Sequence, residues 1–434
     1  MRQKSMRSKS KNSPAGYGIT HLGPLGDGVA EHESGPVFVD RAAPGDQVTL
    51  RLRRDPQGIL RGEIAEILSP SDFRATPPCL FYAQCGNCTL QHLEPAFYRA
   101  WKVETVREAL RRQRVLVAHW AEPIFVGAAQ RRRLTWNAVR DRRKLVLGFH
   151  PRRSKTVSEI RECKVSEPSL FALHEPLQKA LECVALPLGA VDVFVQKASN
   201  GAVDMVLVGA VGRRGQPDVG VEQAFAPLLE LGQIARLSWR ETAGASVEVL
   251  AEAQPVLQRF GKLQVSLPPF AFLQPTQAGE SALVKAVLAG LPAAGNFVDL
   301  FSGCGTFTGP LLDRGSVLAL EWDLPAVKAL QTAAGKKARI IRRDLFTNPL
   351  RSSELENIDA VVLDPPRAGA LEQVKQLAHS SVSKIVYISC NPATFARDAK
   401  VLTLNGFRLD QVHVVDQFQW SHHVEVVGIF SNRP

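Results

Sequence analysis

The feature that most constrains the fold of this chain is a regular alternation of apolar, strand-like runs with helical stretches after Phe270. Strands that alternate with crossover helices lie parallel, and the helices cover both faces of the sheet. The pattern therefore predicts an α/β domain with a doubly wound, Rossmann-like sheet over residues 266–434. An antiparallel edge hairpin, Phe407–Val415 and His423–Phe430, ends it. The predicted parallel strands are Asn296–Phe301, Ser316–Glu321, Arg339–Arg342, Asp359–Asp364 and Lys384–Ser389.

A glycine turn connects the first of these strands to the next helix, in Asn296-Phe-Val-Asp-Leu-Phe-Ser-Gly-Cys-Gly-Thr-Phe. Gly303 and Gly305 allow the backbone to approach a ligand closely. The second strand ends at Glu321, where a carboxylate can receive two ribose hydroxyls. Asp344 follows the third strand, where it can meet an adenine amino group. Together these residues predict a site for a cofactor that contains a nucleoside.

Two other interpretations of this turn stay open. A nicotinamide dinucleotide site carries the pattern Gly-x-Gly-x-x-Gly, which is incomplete here because the third glycine falls at Gly309. A glycine turn that serves only tight packing is also common in α/β folds.

The fourth and fifth strands carry the residues that point to a reaction. They end in Asp364-Pro-Pro-Arg and in Ser389-Cys-Asn-Pro, and in an open α/β sheet both segments lie over the crevice that holds the cofactor. The two prolines make a rigid, extended turn that can hold a planar base. Enzymes that methylate amines usually place an aromatic residue after such a turn. Here Arg367 follows it, and Cys390 lies one strand away.

A cysteine at this place suits methylation of carbon 5 of a pyrimidine. A thiolate that adds to carbon 6 turns carbon 5 into an enolate-like nucleophile, which can attack a methyl sulfonium. A general base must then remove the proton from carbon 5. Cys390 is the predicted nucleophile, and the alternative is an inert buried thiol. Glu425 is the predicted base, with His422 and His423 as competitors and a surface acid on an edge strand as the alternative.

These motifs together resemble the RNA uracil-5 methyltransferase family, in its iron–sulfur-containing 23S ribosomal RNA branch, over essentially the whole chain. The resemblance implies a class I methyltransferase domain that uses S-adenosylmethionine, with Cys390 as nucleophile and Glu425 as base. The motifs are Asp299-Leu-Phe-Ser-Gly-Cys-Gly-Thr-Phe, Asp364-Pro-Pro-Arg, Ser389-Cys-Asn-Pro, His423-Val-Glu and Phe272-Leu-Gln. The implied cofactor-binding residues are Gln274, Phe301, Thr306, Glu321, Asp344 and Asp364.

Three cysteines close together, with a fourth farther along the chain, predict a metal site. Their thiolates can hold an iron–sulfur cluster or a structural zinc, and the spacing alone does not separate the two. The family resemblance implies a 4Fe-4S cluster with a structural role. Cys183 and Cys304 are interpreted as ordinary packing thiols. The predicted metal ligands are Cys79, Cys85, Cys88 and Cys163.

The N-terminal part and the charge of the chain favour a nucleic-acid partner. From Tyr17 to about Ser69, short strands separated by glycine turns predict a small β-barrel, which resembles a TRAM domain and can serve as an oligonucleotide platform. The formal net charge is +11, with arginine clusters that suit phosphate, although each cluster alone can be a solvated basic face.

We expect five segments in this chain. They are a disordered basic tail (1–12), a TRAM-like barrel (13–72), a strand-rich central iron–sulfur domain (73–92 and 126–265), a helical connection (93–125) with a helix from Pro95 to Arg114, and the methyltransferase domain (266–434).

The expected function is methylation of carbon 5 of a uridine in 23S rRNA by a cytoplasmic enzyme. No apolar run is long enough to span a bilayer, and the N-terminus lacks the apolar stretch of a secretory signal. No obligate protein partner is evident. The alternatives are the same reaction on a transfer RNA uridine and a non-catalytic RNA-binding protein that keeps the fold. Cytosine is chemically possible as the base, and only the resemblance selects uracil.

Overall fold

The computed structural model describes residues 16–141, 144–186 and 189–432, so the predicted basic tail lies outside the described residues. The chain divides into two compact units. The first comprises Met1–Pro78, Cys88–Ala100 and Trp420–His422. The second comprises Cys79–Asn87, Trp101–Gln419 and His423–Pro434. Within the described residues, no helix is both long enough and apolar enough to cross a membrane.

The first unit contains the predicted small barrel. Its strands close in the order β1-β2-β3-β5-β4 around small and β-branched side chains, including Ile19, Val37 and Val48. The buried carboxylate of Asp46 accepts a 2.7 Å hydrogen bond from Arg74, which ties the barrel to the segment that follows it. The strands are β1 (Tyr17–Leu22), β2 (Gly28–Ala30), β3 (Val37–Val39), β4 (Gln47–Arg54) and β5 (Leu60–Ser69).

The segment predicted as a helical connection is helical only in its first part. Helix α1 (Pro95–Arg112) matches the prediction, but β6 (Val117–Trp120) and β7 (Ile124–Phe125) follow it as strands. The prediction is wrong there because β-branched and aromatic residues in this stretch pair with a sheet edge described below.

A strand-rich region follows, as predicted. Its sheet has the order β10-β9-β8-β11-β12-β13-β14, and a separate hairpin, β15–β16, comes after it. The strands are β8 (Arg133–Asp141), β9 (Lys144–Phe149), β10 (Ser158–Glu159), β11 (Ala190–Lys197), β12 (Val203–Val208), β13 (Arg236–Arg240), β14 (Glu248–Glu252), β15 (Leu257–Phe260) and β16 (Leu263–Ser266). The helices are α2 (Pro168–Phe171), α3 (His174–Glu182) and α4 (Val219–Glu230).

The C-terminal region forms the predicted doubly wound sheet. Strands β17 to β21 pair in parallel, and β23 pairs antiparallel with β21 and with β22. The strands are β17 (Gly295–Leu300), β18 (Gly315–Glu321), β19 (Ala338–Arg342), β20 (Ala360–Leu363), β21 (Lys384–Ser389), β22 (Phe407–Asp416) and β23 (Glu425–Asn432). The helices are α5 (Gln277–Ala289), α6 (Thr308–Leu311), α7 (Leu324–Ala334), α8 (Leu371–Ala378) and α9 (Pro392–Leu404), with 3-10 turns at Gly335–Lys337 and Ser352–Leu355.

The final hairpin is not at the edge of this sheet, which corrects the prediction. The order is β19-β18-β17-β20-β21-β23-β22-β6, with β7 also on β22. Strand β6 runs parallel to β22, in a register that sets Val117 opposite Leu409. Pairing with β6 and β7 satisfies backbone groups of β22 that an edge strand would leave open.

The central sheet and the doubly wound sheet fall in one unit, which differs from the predicted domain division. Arg132, next to β8, donates a 2.6 Å hydrogen bond to Glu280 of α5 and a 3.0 Å bond to the carbonyl of Gln274. Arg132 and Glu280 are both buried, so these bonds join the two regions through their interior.

Candidate functional site

Cys390 directly follows β21, at the carboxyl edge of the parallel strands, and its side chain is half-buried. Burial raises the pKa of its thiol to about 11, and the carboxylate charges of Glu425 and Asp364 act in the same direction. The cation of Arg367 opposes them. The thiol therefore lies within electrostatic reach of both acids, which come from two other strand ends.

Glu425 is the first residue of β23 and is only 4% exposed, so it is not a surface acid. Burial raises the pKa of its carboxyl to about 7, against a hydrogen bond from Gln417 and the cations of Arg133, Arg367 and Lys102. Near neutral pH this group can both take up and release a proton.

Two glutamines connect Glu425 to the aspartate of the Asp-Pro-Pro turn. Gln417 Nε2 donates to Gln274 Oε1 over 2.7 Å and to Glu425 Oε1 over 3.4 Å. Gln274 Nε2 in turn donates to Asp364 Oδ2 over 3.3 Å. Both glutamine side chains are buried. The structure thus brings the predicted residues Gln274, Asp364 and Glu425 together, whereas sequence reasoning missed Gln417, whose only signal is a polar residue just after a strand.

The turn that carries Asp364 is held by the start of α9. The carbonyl of Arg367 accepts hydrogen bonds from Asn391 Nδ2 at 3.0 Å and from the Thr394 hydroxyl at 3.2 Å. Burial, followed by the charges of nearby acids, raises the pKa of Asp364 well above its usual range. A rigid turn and a low-dielectric setting are what a site for a planar base requires.

Of the two histidines considered as alternative bases, His423 lies 2.9 Å from Arg367, measured between Nδ1 and Nη2. His422 belongs to the first unit, whereas Cys390 and Glu425 belong to the second.

The glycine turn and Glu321 form one connected structure. Glu321 Oε2 accepts from the backbone N–H of Gly303 at 2.9 Å, and Oε1 accepts from those of Trp322 and Asp323. Asp299, in β17, is fully buried, and burial raises its pKa to about 7 although the Thr308 hydroxyl donates to its Oδ2 at 2.5 Å. In the described part of the chain, Asp299 Oδ1 has no hydrogen-bond partner.

Asp344 follows β19 and is held in a local turn. Its carboxylate accepts from the Phe346 N–H and the Thr347 hydroxyl, both at 2.9 Å, and the backbone bond is the largest cause that lowers its pKa. The Phe301 ring, on a residue with φ of 61°, lies 5.6 Å from that of Phe346.

Two exposed aromatic residues were missed by the sequence analysis. Trp322 is 56% exposed, with Arg342 stacked 4.2 Å from the ring, and Phe346 is 46% exposed. Trp322 directly follows Glu321, and Phe346 comes two residues after Asp344. An aromatic residue close to an acid at a strand end was the sequence signal that could have identified them. Thr306, which was predicted to contact the cofactor, lines a groove beside hairpin β15–β16 and α5, together with Phe260. Its contact with the cofactor stays a prediction.

The four cysteines predicted as metal ligands give limited structural support to a metal site. Burial raises the pKa of Cys163, and the charge of Cys79 adds to it, so these two lie near each other. Cys85 is half-buried, and Cys88 falls in the first unit. Throughout the described residues, no group of three or more His, Cys, Asp or Glu side chains has a geometry that could hold a metal ion.

The remaining two cysteines differ from each other. Cys304 is buried in the glycine turn, and burial raises its pKa to about 12. Cys183 is exposed at the end of α3, so its interpretation as a packing thiol is wrong.

Comparisons with known proteins found RNA methyltransferases of similar sequence. A sequence model of the family described as tRNA (Uracil-5-)-methyltransferase matches residues 262–433. An uncharacterized RNA methyltransferase from Caulobacter vibrioides is 38% identical, over 95% of this chain and 99% of the relative. The 23S rRNA (uracil(1939)-C(5))-methyltransferase RlmD from Shewanella frigidimarina is 30% identical, over 98% of both chains.

A solved structure has the same fold. The tRNA (uracil-54, C5)-methyltransferase of Pyrococcus abyssi, in complex with S-adenosyl-L-homocysteine, matches with a TM-score of 0.74. The two chains are 22% identical, and the match covers 95% of this chain and 99% of the Pyrococcus chain.

Proposed function

We propose that this chain, which belongs to the RNA uracil-5 methyltransferase family, methylates carbon 5 of a uridine in 23S rRNA with S-adenosylmethionine as methyl donor. The observation that carries the proposal is the convergence of Cys390, Asp364 and Glu425 at the carboxyl edge of one parallel sheet. The name of the Shewanella relative supports ribosomal RNA as the substrate.

The chain offers residues that fit S-adenosylmethionine, which supplies an electrophilic methyl group when bound. Glu321 and Asp344 present carboxylates for the ribose and the adenine, and Trp322 and Phe346 expose aromatic faces beside them. A Cβ atom added at Gly303 would meet nothing within 4 Å, so the turn leaves open space for a ligand. Buried carboxyls such as Asp299 also favour a cationic sulfonium nearby.

The first proposed step is addition of the Cys390 sulfur to carbon 6 of the uracil. The thiol must lose its proton, and the carboxylate of Asp364, which lies within electrostatic reach, is the proposed acceptor. Arg367 stabilises the thiolate that results. As the sulfur–carbon bond forms, the electron pair of the carbon 5–carbon 6 double bond moves toward carbon 4 and its oxygen, which makes carbon 5 nucleophilic.

The second proposed step follows methyl transfer to carbon 5. Glu425 accepts the proton from carbon 5, the double bond forms again, and the Cys390 sulfur leaves carbon 6. A carboxyl with a pKa of about 7 is well matched to this role at neutral pH. Gln417 and Gln274 hold the carboxylate in place through neutral amides.

The target nucleotide must be unstacked, because a base within a helix hides carbon 6 from the thiolate. Arg133, whose guanidinium lies 4.7 Å from the ring of Phe272, and the exposed Arg367 offer cations for the flanking phosphates. A transfer RNA uridine is the second candidate, because the matching family model carries that name.

A 4Fe-4S cluster on Cys79, Cys85, Cys88 and Cys163 stays a proposal that rests on the family resemblance alone. The geometry of the described residues does not fit a metal group, and no step of the reaction runs through one. Iron and sulfide content of protein purified without oxygen tests it, with Cys79→Ser as the variant and Cys183→Ser as the control. Stoichiometric zinc, or no metal, would contradict the iron–sulfur assignment.

A covalent trap tests the proposed reaction. Transcripts of 23S rRNA that contain 5-fluorouridine should form a denaturation-resistant complex with the wild type and with Cys183→Ala, but not with Cys390→Ala. Transfer RNA transcripts serve as the competing substrate. The mechanism would be contradicted if the wild type formed no complex with either of the two RNAs. It would also be contradicted if Cys390→Ala formed a complex. Mapping of 5-methyluridine in a deletion strain identifies the substrate.

A further inference from the structure

We propose that Lys102, in α1, is a positioning residue for the proton-removal step, because its buried ammonium fixes the two chain segments that present Glu425 and its hydrogen-bond donor. This inference rests on the proposed function. It adds to that function a residue from a helix that lies outside the doubly wound sheet and outside every motif of the resemblance.

The Lys102 side chain is completely buried. Its Nζ forms a 2.9 Å ion pair with Asp416 Oδ1 and donates a hydrogen bond to the carbonyl of His423. Val106 and Leu110 of the same helix belong to the hydrophobic core that also contains Leu409 and Val412 of β22. Burial of an ammonium costs several kcal/mol unless it is paired and hydrogen-bonded, so a lysine at this position needs both partners.

Both partners lie next to the groups that act on the substrate. Asp416 is the last residue of β22 and directly precedes Gln417, which donates to Glu425. His423 is two residues before Glu425, which is the first residue of β23. One cation therefore fixes the end of one strand and the beginning of the next, on either side of the carboxylate.

Lys102 also contributes charge at Glu425. It is one of three cations that lower the pKa of this carboxyl, against burial. Arg133 is half-buried beside an exposed aromatic ring, and Arg367 is exposed, so RNA phosphates can engage both. Lys102 is enclosed by protein and keeps its position when RNA binds. The groups that face Glu425 are Lys102 from α1, Arg133 from β8, Asp364 and Arg367 from the turn after β20, Cys390 after β21 and Gln417 after β22.

Removal of the Lys102 charge should therefore slow release of the product and leave formation of the covalent complex nearly unchanged. Cys390 addition and methyl transfer need no proton acceptor at carbon 5, whereas release of the product does. Removal of this cation should raise the pKa of the Glu425 carboxyl, by about one unit at the lower end of the range for a neighbouring charge. With a pKa about one unit higher, the deprotonated fraction of Glu425 near pH 7 falls from about one half to about one tenth. Release should therefore slow about fivefold near neutral pH and reach its maximum at a pH about one unit higher.

The test is a single-turnover experiment with full-length protein and an unmodified 23S rRNA transcript across a range of pH. The variants are Lys102→Met and Lys102→Met with Asp416→Asn, since the double variant leaves no unpaired buried carboxylate. Lys384→Met removes a partly exposed ion pair with Asp410 in the same sheet and is the matched control. The covalent complex and the released 5-methyluridine are measured separately.

The inference is supported if complex formation changes less than about twofold while release slows about fivefold near neutral pH, with the pH profile shifted upward and the rate recovered at high pH. In a Glu425→Gln background the Lys102 substitutions should have no further effect on release. Equal slowing of both steps without a pH shift, or release as fast as in the wild type, would overturn it. A wild-type protein that forms no complex would instead overturn the proposed function.

Discussion

The side-chain amide of Gln417 donates to Gln274 over 2.7 Å, and through this bond two neutral glutamines connect the carboxyl groups of Asp364 and Glu425. Both acids have raised pKa values because of burial, and at Asp364 the charges of Glu425 and Asp299 add to it. An amide bridge orients such a pair without adding charge. The bridge therefore fixes the geometry at Glu425 while burial sets its proton affinity.

Replacement of Glu425 by glutamine should stop the reaction after methyl transfer. The variant keeps the shape of the side chain but cannot accept the proton from carbon 5. Loss of a general base slows this step about 10²-fold or more, so a covalent protein–RNA complex should accumulate with ordinary, non-fluorinated RNA. Denaturing gel electrophoresis detects the complex, and mass spectrometry of digested RNA measures the 5-methyluridine.

The control for this variant is Glu372→Gln, because Glu372 is an exposed acid that is paired with Lys375 on α8. It should turn over like the wild type. Normal release of 5-methyluridine by Glu425→Gln would show that another group removes the proton.

The raised pKa of Glu425 also predicts how stability depends on pH. In the folded protein this carboxyl has a pKa of about 7, compared with 4.5 without burial. Between these values the folded state binds more protons than the unfolded state. The contribution of Glu425 is therefore fully present below about pH 4.5 and is lost as the pH rises through 7.

Glu425→Gln should consequently gain stability relative to the wild type as the pH rises, by up to about 3 kcal/mol. The measurement compares the unfolding midpoints of the two proteins at about pH 5 and about pH 8. A constant difference between the two proteins over this range would contradict the raised pKa.

Sequence patterns predicted the parts of the fold that depend on local periodicity. Strand β21 was predicted with its exact bounds, and α1 within two residues of its end, because apolar runs and helical spacing carry that signal. The glycine turn and the acid at the end of β18 were also found, since the backbone geometry there restricts the residue type.

Long-range pairings could not be predicted in this way. Lys102 and Asp416 are 314 positions apart, and nothing in either local sequence indicates the other. The pairing of β6 with β22 also joins distant parts of the chain. It could not be predicted because a short strand such as β6 is compatible with many partner strands. Gln417 is recognisable as part of the site only once β22 and β23 are placed side by side.

Two glycines of the turn should respond differently to alanine. Both have positive φ, 54° at Gly303 and 105° at Gly305, which costs an alanine about 1–2 kcal/mol. A Cβ at Gly305 would also lie 2.6 Å from Leu330 Cδ1, whereas one at Gly303 would meet nothing within 4 Å. Gly305→Ala should therefore lower the melting temperature more.

Gly303→Ala should keep most of its stability but lose affinity for S-adenosylmethionine, because its methyl group enters the space proposed for the cofactor. Titration calorimetry with S-adenosylhomocysteine measures this loss. Unchanged affinity in Gly303→Ala would place the cofactor elsewhere.

Asp398, in α9, should be required for the geometry of the turn after β20. Its buried carboxylate accepts from the Tyr387 hydroxyl at 2.7 Å and from the backbone N–H of Ala370 at 2.8 Å. Asp398→Ala leaves both donors buried without an acceptor, at a cost of about 3 kcal/mol. Loss of this anchor should also slow the formation of the covalent complex, because Arg367 lies in the same turn.

Asp313→Ala is the matched control for this substitution. Asp313 pairs with the exposed Lys262 at the surface, so its loss should change stability by less than about 0.5 kcal/mol. Melting temperature and the rate of trapping by 5-fluorouridine RNA are measured for both variants. If Asp398→Ala lowers stability but traps RNA at the wild-type rate, the turn keeps its catalytic geometry without this anchor, and its rigidity must come from the prolines and from the contacts of Asn391 and Thr394 with Arg367.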